Sequence, residues 1–285
     1  MDVFDQPQAT LVRSRGGSFL AALSGSGPIP PETVAIIVAH PDDETIGIGG
    51  QLSRLGGVTI LHVTDGAPRT MTDAAAHGLA SAEAYAAARR QELEAAVALA
   101  GIGPEALLSL GVADQDASNR LVEITGRIAE FLQSRGIEIV VTHAFEGGHP
   151  DHDATAFAVH AAARKLERRG QAPAIIEVPL YHLGLSGWTV QRFVTEAGPE
   201  TLVTLSEEQR RLKQAMLDAH VTQRQVLSRL ATDVERFRLA PAYDFGVLPN
   251  EGRLLYDLYG WGITGARWHA LARAALGELA QQEAA

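Results

Sequence analysis

The chain has 285 residues, 46% of them hydrophobic and 20% charged, with a formal net charge of -10 and no cysteine. This is the balance of a folded chain long enough to bury its own core, and the acidic excess excludes the broad basic face of a nucleic-acid binder. Disulfides and thiolate metal sites are excluded as well, so any metal must rest on histidine and carboxylate.

The first five residues lack the basic start and apolar centre of a signal peptide, and no apolar run is long enough to span a bilayer. The expected location is therefore the cytoplasm. Residues 1–32 read as a short helix followed by a Gly/Ser/Pro connector at 24–31. Residues 33–39 form an unbroken apolar run, which suits a strand buried on both faces of a parallel sheet. Similar runs recur at 58–63, 107–110, 137–142 and 174–180, with helical patterns between them at 44–55, 81–100, 120–134 and 154–169. The alternation predicts a Rossmann-like α/β fold, a mostly parallel sheet with helices on both faces. After Ser206 a long helical stretch is expected to about 239, then a turn at 241–246 and an aromatic-rich end with Tyr256, Tyr259, Trp261 and Trp268. The expected organisation is one domain over 1–285: a lead-in (1–32), an α/β core (33–205) and a C-terminal helical and aromatic extension (206–285) packed on the sheet.

Two of the predicted strands run straight into histidine- and aspartate-rich turns. The first gives His40-Pro41-Asp42-Asp43-Glu44, and the fourth leads through His143 to His149-Pro150-Asp151-His152-Asp153. In a parallel sheet both turns lie on the edge formed by the strands' carboxyl ends, where ligands bind. Aspartates there can simply cap the following helices, with the prolines as first-turn residues. Two features go further. The histidines sit at positive helix ends, which favour neutral imidazole with a free lone pair. Three consecutive acids repel one another unless a cation joins them. The same acids argue against a dinucleotide site, although Gly47, Gly49 and Gly50 lie near the first turn. Their spacing is not G-x-G-x-x-G, and close helix–sheet packing is the better use for them.

At these residues the sequence resembles the LmbE-like, or PIG-L (GlcNAc-phosphatidylinositol de-N-acetylase), family. Both motifs are present in full, A-H-P-D-D-E at 39–44 and H-P-D-H at 149–152, and the resemblance covers roughly residues 33–182. It implies one zinc per chain held by His40, Asp43 and His152, with Asp42 as general base to a metal-bound water. It further implies that His149 stabilises the tetrahedral intermediate and that Asp151 orients or tunes a histidine. Three protein ligands would leave a place for water, which zinc acidifies. The same ligand types would also hold ferrous iron.

Arg89 shares a helical stripe with Tyr85, Leu93 and Ala96, and an inward charge usually has a partner. The family's R-x-x-E-L pattern, present at 89–93, implies that this arginine contacts substrate; an ion pair with Glu92 is the plainer use. Asp114, which follows the third strand, is a second substrate candidate, ahead of Asp65, Asp116 and Glu146. His143 and His182 end strands near the site, His62 lies within a strand with a bland reading, and His220 has no partner motif. The C-terminal aromatics serve core packing first, with sugar stacking or a homo-oligomer contact as other uses. The expected function is zinc-dependent removal of an N-acetyl group from a small amino-sugar substrate, with neither nucleic acid nor a membrane span as partner. Rival readings are an amidase for a non-sugar amide or thiol conjugate, and a metal-binding module without turnover.

Overall fold

The apolar run at 33–39 becomes strand β1 (Val34–Val38), buried at every residue. The computed structural model describes residues 6–29, 33–194 and 197–284, so residues 1–5 and the end of the 24–31 connector lie outside it. Helix α1 (Gln6–Ser24) precedes β1, and the short α2 (Asp43–Ile48) follows it. β1 bonds in parallel to β2 (Thr59–Pro68) on one side and to β4 (Ile139–His143) on the other. β3 (Leu107–Asp114) extends the sheet beyond β2, and β5 (Ala174–Val178) beyond β4, both parallel. All five strands therefore present their carboxyl ends along one edge.

The short α3 (Thr72–Ala76), then α4 (Ala82–Ala98), α5 (Leu121–Arg135) and α6 (Pro150–Glu167) complete the alternation. Along β1 the side chains alternate between two cores. Val34, Ile36 and Val38 join α4 residues such as Leu93 and Val97 on one face, while Ala35 and Ile37 join α5 and α6 residues such as Ile124 and Phe157 on the other. A strand covered on both sides has no polar face, which is why its sequence is continuously apolar.

Two helical expectations are corrected. The pattern at 44–55 divides into α2 and a 3-10 turn at Gly49–Arg54. Its glycines do permit close packing: a β-carbon at Gly47 would lie 2.7 Å from Val178, and one at Gly50 2.5 Å from Leu205. The stretch from 206 to 239 is not continuous helix. After the hairpin β6 (Tyr181–Gly184) and β7 (Gly187–Val190) and strand β8 (Thr201–Thr204) come α7 (Glu207–Ala219), the single turn α8 (Arg224–Leu227) and then strand β9 (Val234–Leu239). β9 lies antiparallel between β5 and β8, giving the sheet order β3-β2-β1-β4-β5-β9-β8. The extension thus supplies an inner strand rather than only packing on the sheet. Its charged residues Glu235 and Arg238 are buried in ion pairs with Lys213 and Glu177.

The chain ends in α9 (Leu255–Tyr259) and α10 (Gly265–Ala284), and Tyr256 and Trp268 are fully buried core residues. Among the described residues, no helix is long and apolar enough to cross a membrane.

Candidate active site

β1 is flanked by β2 and β4, and the sheet grows outward in opposite directions from the β1–β4 pair. Such a switch point parts the loops that follow the two strands and leaves a crevice between them. His40, Pro41 and Asp42 turn the chain from β1 into α2. His149 is the N-cap of α6, and its Nδ1 accepts the backbone N–H of Asp151 at 3.2 Å. With Nδ1 accepting, a neutral His149 carries its proton on Nε2, which lies 3.7 Å from Asp114.

Three side-chain contacts close a triangle across the crevice. His40 Nδ1 lies 3.2 Å from His152 Nε2 and 3.3 Å from Asp43 Oδ2, and His152 Nε2 lies 3.3 Å from Asp43 Oδ1. A tetrahedral zinc with bonds of ~2.0–2.1 Å spaces its ligands ~3.3–3.4 Å apart. These spacings are of the right size for a small divalent cation, with Asp43 facing the two histidines through different oxygens; His40 with His149 and His152, Asp43 with His143 and His152, and His40 with Asp114, His149 and Asp151 are also placed to share one. The other ring nitrogen of His40, Nε2, faces Asp114 Oδ1 at 3.2 Å and Asp151 Oδ2 at 3.4 Å. A carboxylate on the far nitrogen is the usual partner of a metal-ligating histidine. His143 stacks on His152 with ring centroids 4.2 Å apart, and its Nε2 accepts the Ala39 N–H at 2.8 Å.

The electrostatics favour positive charge at this point. Burial alone would depress His40, but Asp114, Asp151 and Asp43 hold it well above its ordinary value. Burial also opposes ionisation of Asp43, yet His152 and His143 outweigh it and keep the carboxyl well below its usual range. Burial pushes His152 down to about 4 despite Asp43. It also lowers His149, helped by His40. A neutral His152 beside an ionised Asp43 is what a metal requires, whereas the acids around His40 hold it protonated, and a cation would have to displace that proton.

Asp42 stands next to the triangle but turns its carboxylate elsewhere, accepting from Arg89 Nη2 at 3.0 Å. Burial raises it to about 8, against the pull of Arg89. Arg89 itself is 4% exposed and also donates to the carbonyls of Gly66 (2.7 Å) and Pro41 (2.9 Å). Gly66 must lack a side chain here, since a β-carbon would sit 2.6 Å from the guanidinium. The expected alternative partner, Glu92, instead accepts from Thr222. Asp151 also takes the backbone N–H groups of Gln115 (2.6 Å) and Ala117 (3.1 Å), tying α6 to the loop after β3.

Sequence reasoning missed the support beneath these groups. Glu44, fully buried, accepts the Asp42 N–H at 3.2 Å and meets His62 Nε2 at 3.0 Å. His220, from beyond α7, closes the cluster 4.0 Å from Glu44. His62 therefore does have a partner, and the signal was its register opposite Val38, at the end of β1. Glu146, a lesser substrate candidate, is buried and accepts the N–H groups of Leu180 (2.9 Å) and Tyr181 (3.0 Å). His182 lies 3.8 Å from the same carboxylate.

Fold and crevice together define an open α/β protein with a buried histidine–aspartate cluster suited to a metal at its switch point. Residues 35–163 match the family model of GlcNAc-PI de-N-acetylases (PIG-L). A 1D-myo-inositol 2-acetamido-2-deoxy-alpha-D-glucopyranoside deacetylase of Rhodococcus erythropolis (strain PR4 / NBRC 100887) is 33% identical over 155 residues. That match covers 45% of this chain and 53% of the relative, so it spans about half the relative's length. Among solved structures, the A40926 pseudoaglycone deacetylase Dbv21 is 26% identical with a TM-score of 0.54, over 69% of this chain and 84% of its own. The N,N'-diacetylchitobiose deacetylase of Pyrococcus horikoshii, 19% identical with a TM-score of 0.52, shares the fold over 85% of this chain and 94% of its own.

Proposed function

We propose that the protein is a metal-dependent N-deacetylase acting on a small amino-sugar derivative. The observation that carries this reading is the triangle of His40 Nδ1, His152 Nε2 and Asp43, with sides of 3.2–3.3 Å, beside the separate carboxylate of Asp42. The deacetylase activities named for the relative and for Dbv21 support the choice of an acetamido bond.

His40, Asp43 and His152 would hold the metal, with zinc the choice suggested by the geometry and the family. When bound, a zinc ion polarises the amide carbonyl and lowers the pKa of water. Asp42, buried and held by Arg89, takes the proton of the attacking water and returns it to the departing amine. His149 Nε2–H donates to the oxygen that gains charge. Asp114 and Asp151 fix the His40 ring through Nε2. Arg89, which contacts two loop carbonyls and the base, acts in this reading by holding Asp42, and Asp114 borders the space left for substrate. A metal-loaded screen of N-acetylated sugars, read as free acetate and primary amine, tests the proposal. Release of both in equal amounts is expected, and metal binding without release from any member would leave only a metal-binding module.

A further inference from the structure

The catalytic groups are deeply set: His40, Asp42 and His149 are only 5–8% exposed. Groups set this deep are reached past the side chains packed around them, so the rest of a substrate rests on whatever borders the site. That border is aromatic. One arm starts at His149, whose ring is 5.1 Å from Trp261, and continues to Tyr259, stacked on Trp261 at 5.3 Å and 18°. A second arm starts at His152, 5.1 Å from Tyr181, and continues to Trp188, 4.9 Å beyond. The arms meet where Trp188 contacts Tyr259 at 5.7 Å and Trp261 at 6.1 Å. An unbroken run of rings thus leads from the site histidines to Tyr259, which is 53% exposed.

We propose that this wall is the subsite for an apolar, ring-bearing aglycone attached to the N-acetylated sugar, an inference that rests on the deacetylase reading above. Within the wall the Trp188 indole N–H donates to the Tyr259 hydroxyl at 2.8 Å, and the Arg229 guanidinium lies 5.2 Å over the Trp188 ring. Ring faces of this kind suit flat apolar groups. Leu185, 96% exposed at the tip of the β6–β7 hairpin, and Leu258, 66% exposed beside Tyr259, are further large apolar side chains on the two elements that build the wall. The wall is also seated on the site. Gly262, at φ +73°, brings its loop against Gln115, whose side chain would be 3.1 Å from a β-carbon there, immediately after Asp114.

The test compares methyl and phenyl N-acetyl-β-D-glucosaminide as substrates of the metal-loaded protein. The phenyl glycoside should have a kcat/KM about tenfold higher, carried by KM, as expected for one aromatic stack. In Tyr259→Ala and Trp188→Ala that advantage should fall towards one, with the methyl glycoside unaffected. Equal kcat/KM for the two glycosides in the unaltered protein, or parallel losses for both in the variants, would overturn the proposal. If neither glycoside is cleaved, the deacetylase reading fails and binding judges the wall alone. Saturable quenching of tryptophan fluorescence by the phenyl but not the methyl glycoside, lost in Tyr259→Ala, would uphold a site for an apolar ring, and its absence would overturn it. A dimer that dissociates on Tyr259→Ala, without any glycoside preference, would assign the wall to self-association and overturn the proposal too.

Discussion

At Asp42 the backbone stands at φ 144° and ψ -24°, a conformation that favours glycine. The Glu44 carboxylate on its N–H, the Arg89 guanidinium on its carboxylate and the same guanidinium on the preceding carbonyl hold it there. Strain of this kind, about 1–3 kcal/mol, persists only when the surroundings over-determine it, and it gathers where function fixes a side chain. Asp42→Gly and Asp42→Ala should both lose turnover by roughly 10²–10⁴-fold, as removal of a general base does, while keeping their metal. The glycine variant should nevertheless be more stable than the alanine variant by about 1 kcal/mol or more, measured by denaturant unfolding. Equal stabilities would show that the backbone is unstrained. Metal content separates ligands from neighbours: Asp43→Ala and His152→Ala should lose the ion, whereas Asp114→Ala should retain it by elemental analysis. Loss of metal in Asp114→Ala with retention in Asp43→Ala would move the ion to the Nε2 side of His40. The motif residues were legible because chemistry dictates their types and spacing. The strained backbone and the Arg89 clamp were not, because they depend on contacts across 23 to 48 positions.

At the scale of elements, the crevice depends on how closely its loops approach one another. A β-carbon at Gly148 would collide with the carbonyl oxygen of Tyr181, a backbone atom that cannot swing aside. Gly148→Ala should therefore cost about 1–3 kcal/mol and weaken metal affinity by displacing His149 and α6, read by thermal unfolding and metal titration. Beneath α2, Lys213 is fully buried, donating to Ile46 O at 2.8 Å and to Glu235 at 2.7 Å. Glu235 also accepts the Gly50 N–H at 2.8 Å, so one ion pair ties α2 and its 3-10 turn to α7 and β9. Lys213→Ala leaves a buried carboxylate unpaired and should destabilise the fold by about 3–5 kcal/mol. The double variant Lys213→Met with Glu235→Leu should recover much of that loss. The parallel strands were readable from their apolar runs. β9 was not, since buried charges that satisfy each other leave no apolar pattern.

At the scale of the whole molecule, a cavity of about 830 Å³ lies between α1, α6 and α10, and no expected site residue lines it. The parallel strand order, rather than this cavity, directs attention to the crevice beside β1. A site made from two segments over 100 positions apart should also report on global stability. Chelation should abolish acetate release reversibly, and zinc at about 100 times its dissociation constant should stabilise the fold by about 2.7 kcal/mol. An unchanged melting temperature with and without zinc would contradict a cation shared by the loops after β1 and β4. The placement of β9 between β5 and β8 has a consequence for biosynthesis. β8 leaves the ribosome first yet has no strand to pair with until β9 emerges some thirty positions later, and Glu44 waits far longer than that for His220. The nascent chain therefore carries the complete histidine–aspartate set well before it can close the sheet around it, and during that interval the outer edge of β5 stays open to wrong partners.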